Sequence, residues 1–267
     1  MNTALKLTSV LLLILSPAAA QDWARAALEK SPRHGEWVAI TLGDRTLHAF
    51  VVYPESKQKA AAVVVIHENT GLTDWARSVA DQLAAAGYIA IAPDLLSGKA
   101  PGGGPSATKT SDFPSADAAR EAIGALDPDQ ITADLNAAAD YVKKLPAASG
   151  KVAVAGFCWG GRQSFRFATN RADLAAAFVF YGLGPDRVES IRAPVFGFYG
   201  ENDARINATL PATEAAMKAA GKRFEAVTYA GAGHGFMRSG EAPDAPAENK
   251  KAREDGWKRW LTLLKKM

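Results

Sequence analysis

Three side chains able to carry out nucleophilic catalysis occur along this chain in the order cysteine, aspartate, histidine: Cys158, Asp203 and His234. Cys158 lies in Gly156-Phe157-Cys158-Trp159-Gly160-Gly161, after the apolar run at residues 152–155 and before a helix-compatible segment at 162–169. A turn this tight between strand and helix needs residues without side chains around the reactive one, and it lifts that residue above the sheet edge. A helix starting there also aims its free N–H groups and positive dipole end at the sulfur, which favours thiolate over thiol. The competing reading is a small buried hydrophobe, a common fate of a lone cysteine. The strand before Cys158 and the helix after it favour the reactive elbow.

Asp203 follows a second apolar run, residues 195–200, and His234 sits in the glycine-rich Ala230-Gly231-Ala232-Gly233-His234-Gly235-Phe236 after a third, residues 224–229. An aspartate in that place can accept a hydrogen bond from one imidazole nitrogen and fix the tautomer, leaving the other nitrogen for the sulfur. Taken singly, Asp203 is equally a turn residue and His234 a surface-loop histidine. The order of the three, each just beyond a strand, fits ester hydrolysis through attack of the thiolate on a carbonyl. Backbone N–H groups of Trp159 and Asn69 are candidates for the oxyanion hole. Glu68, immediately after the apolar run at 61–66, reads on its own as a carboxylate at a helix start or facing solvent.

Metal chemistry finds little support, because His67-Glu68 would need a histidine at position 71 to form H-E-x-x-H, and that residue is Gly71. Neither Gly102–Gly104 nor Gly231–Gly235 matches the G-x-G-x-x-G fingerprint that opens a nucleotide-binding helix. No metal and no cofactor are expected.

The elements that must position these groups alternate along most of the chain. Residues 36–42 and 47–53 read as a hairpin around Gly43-Asp44. Apolar runs at 61–66, 88–92, 152–155, 175–181, 195–199 and 224–229 read as strands, and that at 61–66 has the continuous pattern of a parallel strand covered on both faces. Helical spacing appears at 73–86, 128–145, 210–220 and 248–265, with Asp134 and Asp140 placed off the apolar face of the second. Residues 100–115, rich in Pro, Gly, Ser and Thr, read as a flexible loop and a candidate lid. Together these imply a doubly wound, mostly parallel α/β sheet with helices on both faces and its site at the carboxyl ends of the strands.

At 267 residues, 48% hydrophobic and 22% charged, the chain can bury a full core as one domain. Residues 1–20 read as a signal peptide: Lys6, an apolar run at 10–15, then Ser16-Pro17-Ala18-Ala19-Ala20. Cleavage would leave a domain of residues 21–267 and place the protein in the periplasm or outside the cell. The apolar run is too short to span a bilayer. The net charge is +3, with no block of like charge, so nucleic acid is not an expected partner. A monomer acting on a small molecule is the expectation. One cysteine excludes an intramolecular disulfide, and an unpaired thiol in an oxidising compartment implies burial or use.

The chain resembles the dienelactone hydrolase family of the α/β-hydrolase superfamily, the carboxymethylenebutenolidases and their relatives. The resemblance is carried by His67-Glu68-Asn69-Thr70-Gly71-Leu72, Pro93-Asp94-Leu95, the cysteine elbow, Gly200-Glu201-Asn202-Asp203 and Gly231-Ala232-Gly233-His234-Gly235-Phe236-Met237-Arg238. It implies an α/β-hydrolase fold, a Cys158, His234, Asp203 triad, and hydrolysis of a small ester or lactone through a thioester. It also implies that Glu68 contacts the resting nucleophile and moves as substrate enters, and that Arg238 binds a substrate carboxylate. A second carboxylate-binding arginine of the family, a few residues after Pro-Asp-Leu, is missing here, where Leu96-Ser97-Gly98-Lys99 stands. Lys99 could offer only a point charge in its place. The rival reading is a non-catalytic or thiol-redox sensor on the same fold, which requires only an accessible low-pKa thiol.

Overall fold

The computed structural model describes residues 22–104 and 107–267. The leader expected over residues 1–20 lies outside the described residues. Eight strands form one sheet in the order β1-β2-β4-β3-β5-β6-β7-β8. They are β1 (Gly35–Leu42), β2 (Arg45–Val52), β3 (Ala60–Ile66), β4 (Ile89–Pro93), β5 (Ala148–Phe157), β6 (Ala176–Phe180), β7 (Val195–Asn202) and β8 (Phe224–Gly233). β1 and β2 form the expected hairpin, with Gly43 at φ +62°, and β2 pairs antiparallel with β4. Every pairing from β4 across to β8 is parallel. The fold is α/β, as the alternation of apolar runs predicts.

Successive side chains of a strand point to opposite faces, so each central strand feeds two cores. Val63 and Val65 of β3 pack with Trp75, Val79 and Leu83 of the helix Asp74–Ala85 and with Trp260 and Leu264 of a long C-terminal helix, Ala247–Leu264. Ala62, Val64 and Ile66 face the other way, towards Ile131, Leu135 and Val142 of the helix Pro128–Lys144 and Phe165 and Ala168 of the helix Trp159–Asn170. Trp260 is fully buried, with its ring centroid 4.9 Å from that of Phe180 and 6.0 Å from that of Phe157. It therefore supports the last residue of the elbow strand from below, and truncating a buried tryptophan of this kind costs about 3–5 kcal/mol.

Two parts of the chain differ from the sequence reading. Asp134 is not on an outer face of its helix: its side chain is 1% exposed and bonds to Arg45 at the start of β2. Burial pushes this carboxyl up to about 6 in spite of Arg45. In the segment read as a loop at 100–115, the described residues from 107 onward carry side-chain anchors that composition does not suggest. Thr110 donates through its N–H and hydroxyl to the two oxygens of buried Asp94, both at 2.7 Å, and Thr110 Oγ1 accepts from Leu72 N at 3.0 Å. Gly98 N donates to Thr108 O at 2.9 Å, and Ser115 caps a short helix, Ala116–Gly124, by accepting from Ala118 N. Polar and glycine-rich composition marks the absence of an apolar period; it does not reveal side-chain anchors of this type.

Candidate active site

Because β3 to β8 run parallel, their carboxyl ends lie along one edge of the sheet. Glu68 and Asn69 follow β3, Cys158 follows β5, Tyr181 follows β6, Asp203 follows β7 and His234 follows β8. Cys158 has φ +56° and ψ −114°, a backbone region that non-glycine residues rarely occupy. Such local strain persists only where the surroundings enforce it. Here they do: a Cβ at Gly156 would lie 1.9 Å from Gly160 O, and one at Gly160 would lie 2.3 Å from His67 O. Helix and strand thus pass so closely that only hydrogen fits, and Cys158 is tipped out at the N-terminus of its helix, half-buried.

Asp203 and His234 meet. Asp203, 7% exposed, has Oδ2 2.5 Å from His234 Nδ1. The Cys158 sulfur, through a side-chain hydrogen bond, is the largest influence on the imidazole; with Asp203 on the other nitrogen it outweighs partial burial and raises His234 to about 9. Asp203 and His234, singled out by type and order, therefore meet across two strand ends, and Cys158 at a third is the leading influence on the imidazole.

A cavity of about 240 Å³ opens beside the sulfur, lined by Asn69, Cys158, Trp159, Arg162, Tyr181, Leu183, Arg205 and Ile206. Trp159 and Asn69, the two candidates for an oxyanion hole, both border it. Neither of their backbone N–H groups donates to a protein acceptor among the described residues. Trp159 stands at the first turn of its helix, where N–H groups have no intrahelical partner. Behind it, the His67 ring is fully buried and stacks on the Trp159 ring at 5.6 Å. His67 Nδ1 lies 2.7 Å from Glu68 O, and Nε2 accepts from Leu95 N at 3.3 Å, so both ring nitrogens are engaged and burial lowers the pKa.

Glu68 and Arg238, whose roles the resemblance implies, are paired with each other. The Glu68 carboxylate is bonded to Arg238 Nε at 2.6 Å, not to the sulfur. Arg238 stands outside the cavity wall. Lys99 is exposed and absent from the same wall.

Tyr181, Arg162 and Arg205 were not singled out by sequence reasoning. Tyr181 has φ +43°, its ring lies 5.1 Å from that of His234, and its buried hydroxyl has no hydrogen-bond partner among the described residues. Its place directly after an apolar strand was a usable signal. Arg162 stands four residues after the nucleophile and Arg205 two after Asp203, spacings that one helical turn and a short loop bring back to the cavity.

Comparison with known proteins places this geometry in context. A family model described as the dienelactone hydrolase family matches residues 47–267. A Salmonella typhimurium protein named "Putative carboxymethylenebutenolidase" is 31% identical over 228 residues, covering 80% of this chain and 80% of that one. The carboxymethylenebutenolidase of Pseudomonas putida is 28% identical over 210 residues, covering 76% and 86%. Among solved structures, a dienelactone hydrolase-like promiscuous phosphotriesterase from metagenomic libraries superposes with a TM-score of 0.72 at 23% identity, over 88% of this chain and 98% of its own.

Proposed function

The chain belongs to the dienelactone hydrolase family, and from that premise we propose that it hydrolyses small esters or lactones with Cys158 as nucleophile, His234 as acid and base, and Asp203 as the group that orients it. The observation that supports this most is the linked arrangement of Asp203, His234 and Cys158 next to an open cavity. With Nδ1–H held by Asp203, Nε2 is the nitrogen left to exchange a proton with the sulfur.

The thiolate adds to the acyl carbon, and the carbonyl oxygen becomes an oxyanion that the Trp159 and Asn69 N–H groups can receive. Collapse breaks the bond to the leaving alcohol, whose oxygen takes the proton of His234. For a lactone the same bond opens the ring. His234, now neutral, removes a proton from water, and the resulting hydroxide attacks the thioester; loss of sulfur returns the thiolate and releases the acid. No cofactor enters these steps. Arg238, held through Nε by Glu68, receives the carboxylate of an acidic substrate through its remaining N–H groups or in exchange for Glu68.

Among the described residues no helix is long and apolar enough to cross a membrane. Export to the periplasm or beyond, with cleavage near Ala20, is proposed on the leader sequence alone; the intact mass of the natively exported protein tests it, and retention of Met1 would refute it. The catalytic reading is tested by turnover of aryl esters and unsaturated lactones, with Cys158→Ala as the blank. Equal rates for parent and blank would overturn it in favour of a thiol sensor, for which reversible oxidation of Cys158 without hydrolysis is the signature.

A further inference from the structure

Among the described residues two that are not glycine take a positive φ, Cys158 at +56° and Tyr181 at +43°. Both line the same cavity. The elbow accounts for the first, and the triad makes no use of the second. Tyr181 is nevertheless held in place from both sides: its N–H donates to Phe198 O at 2.8 Å, Cys158 N donates to Phe180 O at 3.0 Å, and a Cβ at Gly182 would lie 2.3 Å from the carbonyl carbon of Gly161. Strain enforced in this way clusters at sites that use it. The side chain is equally unusual, because Tyr181 is fully buried and its hydroxyl has no hydrogen-bond partner among the described residues. A buried phenol ordinarily finds one, and a donor left free beside a reaction centre is available to whatever enters. Tyr199 also has an unpaired buried hydroxyl, but it lies in the opposite core and off the cavity wall. Burial first and the Glu68 carboxylate second hold the Tyr181 phenol well above its ordinary pKa, so it stays protonated and able to donate.

Position along the sheet edge decides which substrate atom this hydroxyl meets. With the strands in the order β3-β5-β6-β7-β8, Asn69 stands on one side of Cys158, and Tyr181, Asp203 and His234 stand on the other. The Tyr181 and His234 rings meet edge to face, with centroids 5.1 Å apart. A carbonyl oxygen drawn to the Asn69 side turns the other oxygen of an ester towards His234, and so towards Tyr181. We propose that the Tyr181 hydroxyl donates a hydrogen bond to the leaving-group oxygen of the substrate and assists its departure. The inference rests on the hydrolase reading and adds a catalytic residue to it. As the carbon–oxygen bond breaks, negative charge gathers on the leaving oxygen and the hydrogen bond from Tyr181 strengthens, which favours the transition state over the bound ester. The proton that completes the alcohol comes from His234, and Tyr181 keeps its own.

The test compares the parent with Tyr181→Phe, which keeps the ring and its contacts, on p-nitrophenyl, phenyl and ethyl acetate, with Cys158→Ala as the blank. Their leaving oxygens become more basic in that order and need more help to depart, and kcat/KM reports the step in which they leave. The expected loss in the variant is about threefold or less for the p-nitrophenyl ester, rising to about tenfold to a hundredfold for the ethyl ester, as for a hydrogen bond to an atom that becomes charged. An equal loss for all three esters is general damage to the site, and either that result or no loss at all would overturn the proposal. Alkylation of Cys158 by iodoacetamide, in which no alkoxide departs, is expected to keep its rate in the variant. A fall in that rate matching the fall for the esters would assign the hydroxyl to the sulfur and refute its contact with the leaving oxygen. If the parent turns over none of the three esters faster than the blank, the hydrolase reading itself fails and the proposal falls with it.

Discussion

Arg238 Nε donates to Glu68 Oε2 at 2.6 Å across a sequence separation of 170 residues, joining the loop after β3 to the short helix after β8. Glu68 already balances the charge of this arginine, so a carboxylate entering the site gains less from it than from an unpaired guanidinium. Arg238→Ala is accordingly expected to raise KM for an acidic ester by less than about tenfold, below the full value of roughly 1.5–3 kcal/mol for a hydrogen bond to a charged group. Steady-state kinetics on the mono-p-nitrophenyl ester of glutaric acid, with its other carboxyl free or methylated, checks this. A larger, acid-selective rise would make Arg238 the principal carboxylate site.

The pH profile follows from His234, raised to about 9 by Cys158 first and Asp203 second. Protonating the leaving alcohol requires the imidazolium, so kcat/KM should have a descending limb near pH 9. Asp203→Asn removes one of the raising influences and should shift that limb to lower pH as well as slow turnover. A limb unmoved by the substitution would separate Asp203 from the titrating group.

Stability carries the same signature. A histidine whose folded pKa exceeds its ordinary 6.5 contributes stability that is fully present below 6.5 and is lost as pH rises through about 9. Cys158→Ala removes the largest cause of the shift. The advantage that the sulfur gives the parent through His234 should thus be seen in urea unfolding at pH 6 and shrink by pH 9.5.

The elbow makes a steric prediction. A Cβ at Gly156 would meet the backbone oxygen of Gly160 at 1.9 Å, and backbone cannot swing aside as a side chain can. Gly156→Ala should destabilise the protein by at least about 1–3 kcal/mol, the usual range for forced overpacking, and disturb the φ of Cys158. Thermal unfolding together with the rate of iodoacetamide modification of Cys158 measures both.

Much of this site was legible in sequence because its parts obey local rules. Gly156 and Gly160 announce a tight crossing, and the apolar runs before Cys158, Asp203 and His234 place each at a strand's carboxyl end once the strands are parallel. Arg162 and Arg205 were not legible, since a lone arginine in a polar segment gives no sign of whether its charge is paired. The same applies to Glu68 and Arg238, whose pairing depends on two loops brought together only by the sheet order. Asp134 was misplaced for a related reason: helical periodicity assigns a carboxylate to the outer face, and only the register of β2 against the helix reveals Arg45 opposite it.

That pair yields the last prediction. Asp134 and Arg45 have side chains 1% and 14% exposed, and Asp134 Oδ2 and Arg45 Nη1 have no hydrogen-bond partner among the described residues, so the pair is desolvated without being fully satisfied. Removing Arg45 alone leaves a buried carboxylate uncompensated, and Arg45→Ala should cost about 3–5 kcal/mol. Replacing both residues, as Arg45→Met with Asp134→Leu, removes the desolvation penalty together with the attraction and should be neutral or stabilising at pH 7. The sign of the pH effect follows from the carboxyl: burial raises Asp134 from 3.8 to about 6, so its contribution to stability is present below 3.8 and lost as pH rises through 6. Any margin by which the Met/Leu variant exceeds the parent at pH 7 must therefore narrow at pH 4. Urea unfolding of parent, single and double variants at the two pH values reads the whole cycle, and a double variant as unstable as Arg45→Ala would show that the ion pair itself holds this helix to the hairpin.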